Sequence, residues 1–351
     1  MSNAPRLTAL STAVPAYPLD QDDVRSRARQ LFDRPAAELD RLMPIYDNAG
    51  IRRRYSCVPL DWYGQKVGWK ERNALYERHA LDLITDAAVH ALAQAGLEAA
   101  QIDAIVTVST TGIATPSLDA RLMNRLAFRR DTVRLPLFGL GCCGGVLGLA
   151  RAAELAAAGK RVLLLTVELC ALTFRPGDPS KSNLVATALF GDGAAAAVLS
   201  GVPGDPGPRL TGWGEHTWPD SEDVMGWRVE DDGLGVLFSR DIPNLIATEF
   251  APVLDGFLAD HGMTRRDVAQ TACHPGGAKV VAALERLVGR GDGAMAAERQ
   301  VLRDYGNMSA PTVLFVLRQV LRAGPEGPVV ASALGPGFTA GFALLEPDPR
   351  V

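Results

Sequence analysis

The sequence predicts an α/β fold, because short apolar runs typical of buried strands alternate with helical patterns along its 351 residues. The runs IDAIVTVST (102–110) and RVLLLTVEL (161–169) are rich in β-branched and aliphatic residues and are bounded by turn residues. Apolar residues recur every three or four positions in 80–96, and small residues fill the helical segment 146–159. This alternation favours parallel or mixed sheets covered by helices.

The elements of the first half follow one another in a regular order. The polar segment 20–60 is helical in parts, and the helix over 80–96 ends at Gly96, a residue typical of helix C-termini. After it we expect a strand at 102–110, a helix near 117–127, an apolar run at 135–140, a helix at 146–159, and strands at 161–169 and 191–200.

The second half repeats this plan after the Pro/Gly-rich stretch GVPGDPGPRL, which predicts a boundary between 1–200 and 201–351. Each half ends with small residues in a turn before an apolar strand, at 190–200 and 335–346, which favours an internal duplication. The expected elements are helices at 244–262, 278–288 and 309–322, and strands at 270–274, 329–334 and 341–347.

Composition excludes several functional classes. The formal net charge of -4 provides no basic surface for nucleic acid. No uncharged apolar run is long enough for a membrane span, and the N-terminal residues lack the pattern of a signal peptide. Five cysteines, an odd number without zinc-site spacing, indicate reduced thiols in a cytoplasmic protein without a structural metal.

The segment PLFGLGCCGGVLGLARAAELAAAG predicts a strand, a glycine turn and a helix, with Cys142 where the helix begins. Unpaired N–H groups at a helix N-terminus stabilise a thiolate, so this position suits a nucleophile. The alternative is that Cys142 and Cys143 are small apolar fillers beneath the helix. Adjacent side chains on a turn point in different directions, so we expect only one of the two to face a pocket.

His274 is the histidine best placed to assist this cysteine. It ends the strand-like QTAC and precedes Pro275–Gly277, at the edge of the sheet where α/β folds hold their reactive groups. The other histidines lie in polar or helical surroundings that are typical of the surface: His79, His90, His216 and His261.

Asn307 is the third candidate. It follows Gly306 and precedes a helix, so one interpretation is a helix N-cap. The alternative is that its amide and His274 together donate hydrogen bonds to an enolate oxygen. One such donor typically lowers a reaction barrier by ~3 kcal/mol.

Five segments occur in one order along the chain: GLGCCGG, ALFGDGAAAAV, CHPGG, DYGNMSAPTVLF and GPGF. Together they resemble the type III polyketide synthases, the chalcone-synthase-like enzymes of the thiolase superfamily, and STTGIATPSLDARL and FGLGC are similar to bacterial members. The resemblance covers about residues 5–346. It implies a thiolase-like five-layered αβαβα fold of two similar halves, a homodimer, and decarboxylative condensation of malonyl-CoA onto an acyl-CoA starter, without a carrier protein or a cofactor.

The resemblance also implies roles for the three candidates. Cys142 would carry the starter as a thioester, and His274 would hold the thiolate as an ion pair. His274 and Asn307 would promote decarboxylation and stabilise the enolate. Phe190 matches the gating aromatic residue between the CoA tunnel and the reaction cavity, with core packing as the alternative.

Further positions follow from the same alignment. The second gating residue falls on Val236, and Thr115 replaces a methionine that plant members receive from the neighbouring subunit. The cavity is expected to contain Thr110, Thr111, Thr115, Cys170, Thr173 and Ser309, with the loop of Gly335, Pro336 and Gly337 as its floor. Pro44 and Asn48 replace two cations that bind CoA in plant members, so the expected CoA contacts are Arg41, Arg52, Arg53, Arg54, Gly276 and Gly277.

The small side chains of Val236 and Thr115 favour a fatty acyl-CoA starter with alkylresorcinol or alkylpyrone products. Two other functions stay open on the sequence. One is the initiating ketoacyl synthase of fatty acid synthesis, although its histidine motif is usually HQAN-like, whereas this chain has HPGG. The other is a non-catalytic relative that binds acyl-CoA. The starter, the number of extensions and the mode of ring closure do not follow from the sequence.

Overall fold

A computed structural model of the chain describes residues 4–348 except Arg240, Arg290 and Asp292. Within this part, none of the helices combines the length and the apolar character that a membrane span requires. The strands are β1 Arg6–Ala13, β2 Tyr17–Asp20, β3 Arg53–Ser56, β4 Ala104–Val108, β5 Val133–Leu137, β6 Arg161–Leu169, β7 Asp192–Ser200, β8 Arg209–Thr217, β9 Met225–Glu230, β10 Gly233–Phe238, β11 Gln270–Cys273, β12 Val329–Gly335 and β13 Thr339–Glu346.

Nine of these strands form the main sheet, and β2 with β3 and β9 with β10 form two separate two-stranded sheets. Helices lie on both faces of the main sheet. They are α1 Gln21–Leu31, α2 Ala36–Leu42, α3 Pro44–Asp47, α4 Trp69–Ala95, α5 Leu118–Leu122, α6 Gly144–Ala156, α7 Lys181–Leu189, α8 Ile242–Leu245, α9 Ala251–Asp260, α10 Ala278–Val288, α11 Ala296–Tyr305 and α12 Ala310–Arg322.

The main sheet has the strand order β11-β12-β13-β8-β1-β7-β6-β4-β5, and its two halves meet at one pair, Arg6 with Arg209. In the first half β1 is antiparallel to β7, β7 is antiparallel to β6, and β6 is parallel to β4. In the second half β8, β13, β12 and β11 repeat these three directions in the same order. The duplication that the sequence indicated is therefore present in the topology.

Helices α6 and α12 form the central layer of the molecule. Their apolar side chains are almost all buried, and they pack between the inner faces of the two half-sheets. Helix α4 covers the outer face of the first half-sheet, and α9 and α10 cover the outer face of the second. This gives five layers, as the resemblance implies.

Three predicted helices have clearly different bounds in the structure. The helix predicted near 117–127 is helical only over Leu118–Leu122. Helix α4 begins at Trp69 rather than at 80. Tyr76 and Arg72 are buried one and two turns before Ala80, so the buried stripe of the helix includes polar residues. An apolar pattern alone does not detect such a stripe. The helix predicted over 244–262 is interrupted by a π-helical turn at Ile246–Phe250. Pro252 follows this turn, and its missing N–H removes a regular helical hydrogen bond.

The contact between the central helices leaves no room for a side chain at Gly145. A Cβ atom there would lie 2.3 Å from the carbonyl oxygen of Ala310. We expect Gly145→Ala to lower the free energy of unfolding by about 1–3 kcal/mol, measured by urea denaturation. The matched control is Gly256→Ala in α9, where a Cβ would contact nothing within 4 Å. That change should raise stability by up to ~1 kcal/mol, and equal effects of both changes would contradict the account.

Candidate active site

Cys142, the predicted nucleophile, lies on a turn between β5 and α6, as the sequence predicted. The turn contains Gly139 and Gly141 with positive φ values of 91° and 47°. The Gly141 N–H donates to Thr110 Oγ1 over 3.2 Å. A Cβ on Gly141 would lie 2.6 Å from Cδ of Pro336, so the turn packs directly against the loop of Gly335–Gly337. These contacts fix the backbone of the nucleophile from two sides.

The two adjacent cysteines have different surroundings. Cys143 is fully buried, and its Sγ donates to the carbonyl of Ala333 over 3.4 Å, so it is a core residue. Cys142 is partly exposed and lines a cavity together with His274 and Asn307. Three chain segments predicted to act together therefore meet at one cavity, and only Cys142 presents its sulfur there.

His274 continues the parallel pairing of β11 with β12, because its N–H donates to the carbonyl of Ser332 over 2.8 Å. Its side chain is 5% exposed. Among the described residues, neither Nδ1 nor Nε2 has a hydrogen-bond partner. Buried polar atoms normally have partners, so an imidazole left unpaired beside a cavity indicates a ligand-facing group.

Asn307 is held by its neighbours on both sides. Its Oδ1 accepts the N–H of Ser309 over 2.8 Å, and its Nδ2 donates to the carbonyl of Gly276 over 3.2 Å. Because the amide nitrogen carries two hydrogens, one remains for a group in the cavity that Asn307 lines. The N-cap of α12 is Ser309, with φ 56°, so the N-cap interpretation of Asn307 was wrong.

Burial controls the proton affinities of the site. It raises the pKa of Cys142 to about 11, against the opposing effect of hydrogen bonds from Ser309 and Asn307. It lowers the pKa of His274 to about 4. Each group alone is therefore neutral near pH 7. A reactive thiolate requires that the Cys142 proton move to His274, with the two charges and the N-terminus of α6 stabilising each other.

Phe190 lies at the end of α7 beside a second cavity. Its ring centroid is 5.7 Å from that of Trp227 and 5.6 Å from that of Phe238. Val236 packs against the same cluster, and it pairs with Trp227 across the β9–β10 hairpin. Phe190 lines the second cavity and Phe238 lines the cavity of Cys142, so the ring pair marks their boundary.

Trp227 and Phe238 were not predicted from the sequence. The hairpin that carries them contains many acidic residues, which conceal its strand pattern. The sequence signal that could have found Phe238 is the two-residue period of side chains in a strand. Val236 and Phe238 are two residues apart, so they occupy the same face of β10.

The remaining predicted cavity residues fall into three groups. Cys170 and Thr173 line the second cavity, next to Phe190. Neither Thr110 nor Thr111 lines either cavity. The hydroxyl of Thr110 accepts the N–H of Gly141 in the turn that carries Cys142, and the hydroxyl of Thr111 donates to Glu168 and accepts the N–H of Leu169. Thr115 is exposed and does not contact the cavities of its own chain.

Two buried carboxylates near the site were not predicted. Glu168 accepts the N–H of Thr110 over 3.0 Å, and Asp192 accepts the N–H groups of Cys57 and Ala171, each over 2.8 Å. Burial raises the pKa of each carboxyl to about 7. Both residues therefore hold backbone segments that carry cavity side chains.

The predicted CoA contacts require one correction. Arg54 is only 2% exposed, and its guanidinium donates to backbone carbonyls inside the protein, so it does not bind a CoA phosphate. Because Arg54 is one of three consecutive arginines, the sequence suggested a surface cation. Side chains alternate between the two faces of β3, however, and Arg54 lies on the buried face. The other contacts stay predictions: Arg41 and Arg52 are exposed, Arg53 pairs with Asp20, Gly276 lines the cavity of Cys142, and Gly277 is the N-cap of α10.

Comparison with known proteins assigns the chain to a family. The family model for the N-terminal domain of chalcone and stilbene synthases matches residues 3–203, and the model for their C-terminal domain matches residues 214–344. The chain belongs to the chalcone and stilbene synthase family, the type III polyketide synthases. It is therefore a polyketide synthase, an acyltransferase, and the resemblance stated from the five sequence segments is confirmed.

Bacterial relatives are similar over nearly the whole chain. A 1,3,6,8-tetrahydroxynaphthalene synthase of Streptomyces peucetius subsp. caesius is 40% identical, with 97% of this chain and 92% of that protein covered. A putative chalcone synthase of Bacillus subtilis is 36% identical, covering 97% and 98%. The crystal structure of 1,3,6,8-tetrahydroxynaphthalene synthase from Streptomyces coelicolor A3(2) superposes with a TM-score of 0.92 at 31% identity, covering 98% and 99%. The expected thiolase-like fold is confirmed.

Proton transfer within the cavity predicts an unusual pH dependence. When the proton moves from Cys142 to His274, the total number of bound protons does not change. We expect the rate of iodoacetamide alkylation at Cys142 to stay within about twofold from roughly pH 6 to 9. In His274→Ala the thiol ionises alone, so the rate should rise about tenfold per pH unit over this range.

Peptide mass spectrometry assigns the alkylation, and the other four cysteines are buried, so Cys142 is the accessible thiol. A wild-type rate that rises tenfold per pH unit, as in His274→Ala, would show that His274 does not take the proton.

Proposed function

We propose that this enzyme loads an acyl-CoA starter onto Cys142, extends it by decarboxylative condensation with malonyl-CoA, and cyclises the product. The observation that carries the proposal is the shared cavity of Cys142, His274 and Asn307, with an imidazole that lacks partners among the described residues. Thiolate, proton acceptor and amide donor are the groups that thioester exchange and enolate formation need.

In the loading step, His274 accepts the proton of Cys142, and the thiolate attacks the carbonyl carbon of the starter thioester. The new S–C bond forms while the bond to the CoA sulfur breaks. His274 then returns its proton to the departing CoA thiolate, so no net charge is left in the buried site. The starter remains on Cys142 as a thioester, and CoA leaves.

In the extension step, malonyl-CoA loses its carboxylate as CO₂, and the electron pair of the broken C–C bond forms an enolate. Nδ2 of Asn307 and an N–H of His274 donate to the enolate oxygen. The enolate carbon attacks the thioester on Cys142, which forms a C–C bond and releases the thiolate. The lengthened chain is then held by CoA, and Cys142 is ready for another round.

The second cavity supports an apolar starter. It begins at Phe190 next to the site and is partly open to solvent. Its walls are largely aliphatic and aromatic, with two arginines, Arg27 and Arg54, among them; the apolar residues are Leu19, Val24, Ala28, Leu31, Leu60, Tyr63 and Phe174. A fatty acyl chain that passes Phe190 would bury its methylene groups there, each worth about 0.8 kcal/mol. We therefore propose alkylresorcinol or alkylpyrone products.

A second candidate is the synthesis of 1,3,6,8-tetrahydroxynaphthalene from malonyl-CoA alone. It is favoured by the 40% identity to the Streptomyces peucetius enzyme of that name. The two candidates differ in the starter, since this one needs no apolar chain beyond Phe190. The aromatic packing of Phe190, Trp227 and Phe238 is compatible with a compact cavity of this kind.

A homodimer also stays a prediction. Ile113 and Phe138 are 57% and 65% exposed, and Thr115, close to Ile113 in sequence, is exposed as well. Strand β5 lies at the edge of the main sheet. A second copy of the chain would cover this apolar surface and bring Thr115 toward the partner's site.

Filling the second cavity separates the two starters. Ala28 of α1 is 4% exposed and lines this cavity without touching Cys142. We expect Ala28→Phe to lower kcat/KM for dodecanoyl-CoA and longer starters at least about tenfold, because lost pocket contacts of this kind are worth about 1–3 kcal/mol. Turnover of malonyl-CoA alone should not change. Product analysis with radiolabelled malonyl-CoA and a starter series measures both.

Ala37→Phe on the exposed face of α2 is the matched control and should leave every starter unchanged. Equal use of long starters by Ala28→Phe and the wild type would place the chain elsewhere. A naphthalene polyol as the main wild-type product, whatever starter is added, would replace the lipid proposal with the second candidate.

A further inference from the structure

Arg54 is a cation buried without a carboxylate. Its side chain is 2% exposed, and among the described residues no acidic group lies within ion-pair distance of it. Burial lowers its pKa to about 10, so it stays charged at neutral pH. A charge in such a place needs compensation from dipoles, because removing it from water is costly.

The compensation comes from the C-terminus of α7. Nη1 of Arg54 donates to the carbonyl of Thr187 over 2.5 Å and to that of Phe190 over 3.1 Å. Nη2 donates to the carbonyl of Ala188 over 3.1 Å. The last carbonyls of a helix lack intrahelical partners and carry partial negative charge. The guanidinium therefore satisfies the end of α7 and the residue after it.

Gln21 completes this arrangement. Its Nε2 donates to the carbonyl of Ala188 over 3.2 Å and to that of Tyr46 over 3.1 Å. Its Oε1 accepts a short hydrogen bond from Nη2 of Arg54. The carbonyl of Ala188 thus receives two side-chain donors, and the amide orients the guanidinium.

The segment held by Arg54 is joined directly to Asn307. The N–H of Asn307 donates to the carbonyl of Leu189 over 2.8 Å, and the N–H of Gly191 donates to the carbonyl of Asn307 over 2.9 Å. These two bonds form an isolated parallel bridge between Phe190 and Asn307. A shift of Phe190 along the chain would therefore move the backbone of Asn307 as well.

Close packing leaves little room for such a shift. A Cβ on Gly191 would lie 2.8 Å from the carbonyl oxygen of Tyr305 and 3.1 Å from Cβ of Arg54. Gly306 has φ 70°, and a Cβ there would lie 3.0 Å from the carbonyl oxygen of Leu189. Strand β3, the end of α7 and the segment before α12 are thus in backbone contact around Arg54.

We propose that Arg54 is a positioning residue that holds Phe190 and, through the bridge to Asn307, the amide that binds the enolate oxygen. This rests on the role of Asn307 in the proposed function. Arg54 touches neither the nucleophile nor His274, which lie on other elements. Loss of its contacts should therefore disturb decarboxylation of malonyl-CoA more than loading of the starter. A misplacement of about 1 Å is enough to cost roughly 100-fold in rate.

The experiment measures two steps separately in the full-length enzyme. Release of ¹⁴CO₂ from carboxyl-labelled malonyl-CoA reports decarboxylation, and intact-protein mass spectrometry after rapid mixing with a starter acyl-CoA reports loading. We expect Arg54→Gln to lower the decarboxylation rate about tenfold or more. Loading is measured with acetyl-CoA, a starter too short to need the second cavity that Arg54 lines, and should stay within about threefold. Arg54→Lys keeps the charge but not the planar fork, so its rate should fall between those of the wild type and Arg54→Gln.

Gln21→Leu is a milder second variant, because it removes one support of the guanidinium and leaves Arg54 in place. It should also lower the decarboxylation rate more than the loading rate, but by a smaller factor than Arg54→Gln. Arg29→Gln, which breaks a surface ion pair with Asp40, is the matched control and should affect neither step. Melting temperatures of all variants show whether a loss reflects unfolding.

Two outcomes would overturn the proposal. Wild-type decarboxylation in Arg54→Gln and Gln21→Leu would show that the bridge does not depend on this contact. Equal losses of loading and decarboxylation, together with a lower melting temperature, would show a merely structural role. Asn307→Ala provides the remaining comparison: if that variant decarboxylates malonyl-CoA normally, the role of Asn307 in the proposed function fails, whatever Arg54 does.

Discussion

The close contact of the two central helices determines where the reactive groups lie. Helix α6 begins just after Cys142, and α12 begins just after Ser309, so their N-termini carry the nucleophile and the amide segment. The helices approach so closely at Gly145 and Ala310 that no side chain fits between them. Because both helices are buried between the half-sheets, this contact fixes the distance between residues that are far apart in the chain. The site therefore forms where the two similar halves of the chain meet.

The chemistry of the site depends on the burial of its ionisable side chains. Burial makes a thiolate and an imidazolium individually unfavourable, so the two charges form only together, by a proton transfer inside the cavity. The same burial leaves the His274 nitrogens without partners among the described residues, ready for substrate. The boundary formed by Phe190 and Phe238 separates this polar centre from an apolar cavity. A polar reaction centre and an apolar chain can therefore be accommodated side by side.

The sequence predicted which residues meet at one cavity because their signals are local. Cys142 follows a glycine turn, and His274 follows a buried strand, so neighbouring residues reveal the position of each. Residues whose role depends on distant partners were missed or misassigned. Arg54 resembled a surface cation because the carbonyls it contacts belong to α7, more than 130 positions away. Trp227 and Phe238 lie on a hairpin whose acidic residues conceal its strands, and the N-cap of α12 proved to be Ser309.

The measurement that tests the account most directly is the identification of the residue that carries the acyl group during turnover. The enzyme is mixed with a starter acyl-CoA, quenched in acid and digested, and the peptides are analysed by mass spectrometry. The account predicts a thioester on the peptide that contains Cys142, with the added mass of the starter and none on Cys143. Steady turnover without acylation of Cys142, or undiminished turnover by Cys142→Ala, would contradict it.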